Sequence, residues 1–287
     1  MNRWIAGARP RTLPASVVPV VVGTACAAGE GNVIAWRAVA AGVVALALQV
    51  GTNYANDYSD GVRGTDEVRV GPVRLVASGL AAPAAVKRAA LLSFAVAAVA
   101  GLCLALATTP WLIAVGAAAI AAGYLYTGGP KPYGYYGFGE VFVFVFFGLV
   151  ATAGSTFVQI ERVTALSIAA GVAMGFLSCS LLVANNLRDI PTDTDAGKRT
   201  LAVRLGDHRT RLLYATLMIG AFVVGVASAW SRPGALLCLV GLPVAVGPIA
   251  RTLTGARGRQ LIAVLLGTAR TQLVYGLAFA LGVWLTA

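Results

Sequence analysis

The chain has 287 residues, of which 58% are hydrophobic and only 11% charged, and it carries a formal net charge of +11. Soluble domains carry about 25% charged residues, so the composition excludes an ordinary soluble fold and indicates an all-α membrane protein seated in a lipid bilayer. Basic residues in such a chain mark its cytoplasmic loops, so the positive balance does not imply a nucleic-acid partner.

The N-terminus, MNRWIAGARPRTLPASVVPVVVG, begins like the charged region of a signal peptide. No A-x-A-like cleavage site precedes a polar mature region, so the segment is expected to be retained. Breaks at charged, Gly/Pro and polar residues then predict nine helices, at about 13–28, 34–57, 84–107, 111–127, 138–159, 164–188, 210–230, 234–253 and 264–286. The third follows Pro83 and stops before Pro110, the usual punctuation of a helix. All 287 residues are expected to form one transmembrane domain.

Charge sidedness fixes the expected orientation. With the N-terminus inside, only Arg37, Arg162 and Arg232 fall outside and Arg270 falls within the last span, while the other 18 of 22 Lys and Arg lie inside. That asymmetry favours nine spans with a cytoplasmic N-terminus and an outside C-terminus. Cys26, Cys103, Cys179 and Cys238 lie in separate apolar stretches without C-x-x-C spacing. They are expected to be small buried hydrophobes.

The seven aspartates fall in two places only, both inside: 57, 60 and 66, then 189, 193, 195 and 207. Asn53, Asp57 and Asp60 are spaced by four and three residues, so they share one helix face. Asn185, Asp189 and Asp193 are spaced by four and four, and also share a face. Carboxylates at a helix C-terminus oppose the macrodipole by about 0.3–1 kcal/mol each, so something cationic must compensate them. Clustered hard oxygen ligands suit Mg²⁺, which keeps open positions for phosphate oxygens. Two facing clusters could hold a diphosphate through Mg²⁺, with Arg63, Lys198 and Arg199 clamping the remaining charge. Ionisable residues aligned on one face of a membrane bundle are functional by default. Asp207 reads instead as an N-cap of the seventh helix, and Glu67 as solvated.

These stretches resemble a known family. "ARPRTLPASVVPVVVG", "NYANDYSDGVRGTDEVRVGPVRL", "YTGGPKPYGYYGFGE" and "NNLRDIPTDTDAGKRTLAVRLG" are similar to the intramembrane aromatic prenyltransferases, the superfamily named for 4-hydroxybenzoate polyprenyltransferase. That superfamily has nine transmembrane helices and Asp-rich motifs after helices two and six. Its common pattern puts a third acid four residues after the second. Here Gly64 stands there and Asp66 follows, a departure that resembles the dihydroxynaphthoate branch and leaves Asp66 a less certain metal ligand.

The resemblance implies that Mg²⁺ on Asp57, Asp60, Asp189 and Asp193 binds an all-trans polyprenyl diphosphate. Asn53 and Asn185 would add neutral contacts, to metal and diphosphate respectively. It implies 1,4-dihydroxy-2-naphthoate as acceptor, loss of CO₂, and a demethylmenaquinone product. Lys131 lies among Tyr124, Tyr126, Tyr133, Tyr135 and Tyr136. This group reads either as an interfacial aromatic belt or as a substrate site, with Lys131 on the diphosphate and a ring face steadying a cation. A CDP-alcohol phosphotransferase would hold its acids in one stretch, and a transporter would hold polar groups at the midplane. Neither pattern is present.

Overall fold

The computed structural model describes residues 2–31, 33–64 and 74–287, apart from the side chain of Arg11. Asp66, Glu67 and Arg69 therefore lie outside the described residues. The described chain forms helices α1 (Arg3–Ala8), α2 (Pro14–Ala28), α3 (Ala35–Arg63), α4 (Pro83–Ala107) and α5 (Trp111–Leu125). There follow α6 (Gly139–Ile160), α7 (Ala165–Asp195), α8 (Leu201–Trp230), α9 (Pro233–Leu253) and α10 (Gln260–Leu285). Each of the nine predicted segments is helical. Among the described residues, seven helices are long and apolar enough to cross a membrane, while Pro14–Ala28 and Trp111–Leu125 are apolar but shorter.

Two departures from expectation are C-terminal helix ends. The second predicted helix was to stop at 57, yet α3 continues to Arg63 and is closed by Gly64 in the left-handed conformation, φ 72°. The sixth was to stop at 188, yet α7 runs through Pro191 to Asp195. At 1.5 Å per residue α3 is about 43 Å long and α7 about 46 Å, against a hydrocarbon core of about 30 Å. Each helix carries its aspartates on turns beyond the span's minimum length. The acids do not break these helices because neighbouring cations and N–H groups offset them, as described below.

α1 was not anticipated, since six residues carry too little periodicity to read. Asn2 caps it by accepting from the Trp4 N–H at 2.9 Å. Trp4 packs edge-on against Tyr54 of α3, with ring centroids 6.0 Å apart, and the Tyr54 hydroxyl donates to the Trp4 carbonyl at 2.7 Å. Arg9, with φ 53°, turns the chain from α1 toward α2.

Three buried clusters hold the bundle. Val22, Leu177, Met218, Tyr275 and Phe279 join α2, α7, α8 and α10. Tyr54, Leu75, Val86 and Phe94 tie α3 to α4. Val20, Ala41, Leu104 and Val158 link α2, α3, α4 and α6. Leu92, Val99, Leu106, Val223 and Val240 face outward, as expected where lipid replaces water. Inside α6, residues Phe144–Val150 widen to a π-helix. There Gly148 meets α7 so closely that a Cβ would stand 2.5 Å from the Gly175 Cα and 2.7 Å from the Gly171 carbonyl oxygen, the small-residue packing of membrane helices.

Cys26, Cys179 and Cys238 are buried as expected, whereas Cys103 is exposed because its side of α4 faces outward. Asp207 does not cap its helix. α8 begins six residues earlier with Thr200 as N-cap and kinks at Gly206 (φ 75°). Asp207 instead accepts from Arg211 Nε at 2.6 Å and Nη2 at 2.8 Å.

Candidate active site

The site begins at the end of α3. Asp57 is fully buried, and its two carboxylate oxygens accept from the main-chain N–H groups of Leu75 (2.8 Å) and Val76 (3.0 Å). It thereby holds the chain at Leu75 and Val76 against the helix. Gly61 permits this approach, since a Cβ there would meet Val76 at 2.6 Å.

Asp60, one turn on, is 3% exposed and collects partners from three separate segments. The Tyr135 hydroxyl donates to it at 2.6 Å. Lys198 Nζ and an Arg74 guanidinium nitrogen each stand 3.6 Å from its oxygens. Lys198 also lies 4.6 Å above the Tyr135 ring centroid, and Arg63 lies 5.5 Å from it. Arg63 is aimed by donating to the carbonyls of Thr127 and Gly129.

Lys198 can reach α3 because the α7–α8 link is anchored at both sides. The Lys198 N–H donates to the Asp193 carbonyl at 2.8 Å, and the Arg199 N–H to the Tyr135 carbonyl at 2.8 Å. Around this junction lies a cavity of about 460 Å³ lined by Arg63, Pro130, Pro132, Tyr135, Tyr136 and Arg199. Lys131 is exposed between its two prolines.

The end of α7 is organised locally. Asp189 is buried and receives the Arg188 fork, Nε at 2.7 Å and Nη2 at 2.8 Å. Arg188 Nη2 also donates to Asn185 Oδ1 at 2.8 Å. Asp193, one turn further, is only half-buried. Asn53 is engaged elsewhere than its namesake on α7. Its amide donates to the Ala8 carbonyl at 2.9 Å and its oxygen accepts from Gln49 at 3.2 Å, so it ties α3 to the α1–α2 turn.

Tyr126 and Tyr133 complete the interior. Burial pushes the Tyr126 phenol well above its ordinary value, and the nearby Glu140 carboxylate adds to that rise. Burial likewise raises the Tyr133 phenol. Neither ring is a ready proton donor.

Of the residues expected from sequence, the structure brings Asp60, Arg63 and Lys198 together around Tyr135, with Arg199 on the adjoining link, and holds Asp189 with Asn185 through Arg188. Sequence reasoning missed what holds them: Tyr135, Arg74 and Arg188. Arg188 had a signal, since it stands three residues from Asn185 and beside Asp189, but it was counted only as a topological charge.

The donor set bears on a metal. Among the described residues no three acidic, His or Cys side chains lie close enough to hold an ion alone. An ionised carboxylate offers about four acceptor sites in all, so an N–H or O–H bound to it does not by itself bar a metal. Such a set suits an ion held by one or two carboxylates per side and completed by ligand oxygens, the habit of Mg²⁺.

Fold and site together define a polytopic helical protein with two Asp-bearing helix ends and basic loops converging at one end of its bundle. The chain belongs to the UbiA prenyltransferase family, whose sequence pattern it matches over residues 16–262. It is 55% identical over 278 residues to the 1,4-dihydroxy-2-naphthoate octaprenyltransferase of Mycobacterium tuberculosis, covering 97% of this chain and 95% of that one. The enzyme of the same name from Escherichia coli is 37% identical, covering 77% of this chain and 74% of that one. Two solved structures share the fold. One, a UbiA homolog from Aeropyrum pernix K1, has TM-score 0.74 and 14% identity, covering 95% and 98% of the two chains. The other, from Archaeoglobus fulgidus and bound to GPP and Mg²⁺, has TM-score 0.65 and 15% identity, covering 97% and 99%.

Proposed function

We propose that this chain transfers an all-trans polyprenyl group from its diphosphate to 1,4-dihydroxy-2-naphthoate, releasing diphosphate and CO₂ and giving a demethylmenaquinone. The observation that carries the reading is the match, over nearly the whole chain, to a naphthoate octaprenyltransferase at 55% identity.

Asp57, Asp60, Asp189 and Asp193 would hold Mg²⁺, with Asn53 and Asp66 as further ligands. When bound, Mg²⁺ supplies positive charge that stabilises the departing diphosphate. Arg63, Lys131, Lys198, Arg199 and Asn185 bind the diphosphate oxygens that the metal leaves free. Lys198 and Arg63 lie within 6 Å of one tyrosine ring, so their charges are preorganised before substrate arrives, as electrostatic catalysis requires. Arg188 fixes the Asp189 carboxylate in one orientation. The prenyl tail lies along the outward-facing apolar helices, in lipid.

The chain functions as one domain that crosses the plasma membrane nine times, N-terminus inside and C-terminus outside, with its active site at the cytoplasmic face. Supporting this is the sidedness of Lys and Arg. The deciding experiment incubates membranes carrying the protein with Mg²⁺, a polyprenyl diphosphate and each candidate aromatic acid. Prenylated naphthoquinol with CO₂ release is expected. Prenylation of 4-hydroxybenzoate but not of dihydroxynaphthoate would overturn the reading.

A further inference from the structure

Glu140 opens α6 and is one of the few acids that the aspartate site does not use. It is 8% exposed, among apolar helices. Asn186 Nδ2 donates to its Oε1 at 3.0 Å, and the Cys179 thiol donates to its backbone carbonyl at 3.1 Å. The other carboxylate oxygen, Oε2, is buried and has no hydrogen-bond partner among the described residues. A buried oxygen without a donor is costly and calls for an explanation.

The surroundings suggest one. Glu140 thus sits against the Cys179–Asn186 side of α7, and Glu140, Asp193 and Asp60 all act on the buried Tyr126 phenol, so it shares that ring with the ends of α7 and α3. Five residues before it, Tyr135 holds Asp60, which bounds the other side. A Cβ on Gly139 would stand 3.5 Å from the Tyr126 hydroxyl oxygen, so that ring lies beside the start of α6. Tyr126 meets Tyr133 edge-on at 5.5 Å, and Tyr133 stacks on Phe142 at 4.0 Å. The place is therefore a carboxylate oxygen set among flat aromatic surfaces, next to the diphosphate groups but separate from them.

We propose that Glu140 Oε2 accepts a hydrogen bond from a ring hydroxyl of the aromatic acceptor, and so orients that ring for attack. The inference rests on the naphthoate reading above. A carboxylate here repels the acceptor's own carboxylate, which turns away from Glu140. The ring then enters hydroxyl-first, with its flat face against the tyrosines. Asn186 positions Glu140 by holding Oε1, which leaves Oε2 aimed at the ligand.

The test uses purified full-length protein, Mg²⁺ and a polyprenyl diphosphate. Competitive inhibition constants are measured for 2-naphthoate and for its 1-hydroxy and 4-hydroxy derivatives. In the wild type, one hydroxylated acid is expected to bind at least about tenfold tighter than 2-naphthoate. In Glu140→Gln, Asn186 captures the amide oxygen and an NH₂ replaces Oε2, so that advantage vanishes. The KM for naphthoate rises about tenfold while the KM for the prenyl diphosphate stays within about twofold. If Glu140→Gln does not purify, Glu140→Asp, which withdraws the carboxylate by one methylene, is expected to lose the hydroxyl preference as well. Retained hydroxyl preference in the variant that purifies overturns the proposal. So does an equal rise in both KM values with a lowered melting temperature, the mark of a structural role. Absence of naphthoate prenylation by the wild type would instead refute the naphthoate reading itself, so the two failures are separable.

Discussion

The ends of α3 and α7 carry nearly the same sequence device and are built in opposite ways. On α7 the device is local: Arg188, Asn185 and Asp189 satisfy one another within four residues of one helix. On α3 it is tertiary: Asp57 takes its partners from residues 75 and 76, and Asp60 takes Arg74, Tyr135 and Lys198 from three other segments. The α3 carboxylates therefore gather segments distant in sequence, while Asp189 takes the Arg188 fork from its own helix. Equal spacing in sequence does not mean equal mechanical duty.

Substitutions can break or sharpen that contrast. The largest effect is expected from Asp189→Asn and Asp60→Asn, each lowering kcat by at least about 100-fold with normal purification. Near-wild-type turnover in either would remove that residue from the site. Asp57→Asn is next, and it should differ in kind. An amide can accept only one of the two main-chain bonds without presenting N–H to N–H, so loop anchoring falls by about 1–3 kcal/mol. Faster proteolysis at residues 64–78 and lost activity together are expected for Asp57→Asn. Asp193→Asn should lose activity with unchanged proteolysis, and equal loop sensitivity in both would erase the contrast. Arg188→Lys removes the two-pronged grip on Asp189 and should lower kcat/KM for the prenyl diphosphate about tenfold. The smallest effect is expected from Asp207→Asn. Its carboxylate serves Arg211 rather than the substrate, so activity should stay within about twofold while the melting temperature drops slightly.

Hydropathy and helical period made nine helices and both acid faces readable, because burial in lipid enforces long apolar runs and i, i+4 spacing fixes a side. The ends of α3 and α7 were not readable. Acids that look like a helix break in sequence are tolerated once Lys198, Arg74 and Arg188 sit beside them, and those contacts exist only in three dimensions. Asp207 misled for a related reason, since the kink at Gly206 leaves no periodic trace. The π-widened turn of α6 was hidden as well, because its residues are as apolar as any α-helical span. Tyr135 could be seen as one of five loop tyrosines, but nothing in its neighbours distinguishes the one that reaches Asp60.

That tyrosine has a further consequence. Its hydroxyl holds α3 and its main-chain carbonyl holds Arg199 on the α7–α8 link, so one residue fastens two halves of the site, the end of α3 and that link. Any ligand that pulls on Asp60 or on Arg199 must strain the same short turn. A fluorinated tyrosine placed there would report, in a single resonance, the arrival of charge at either half.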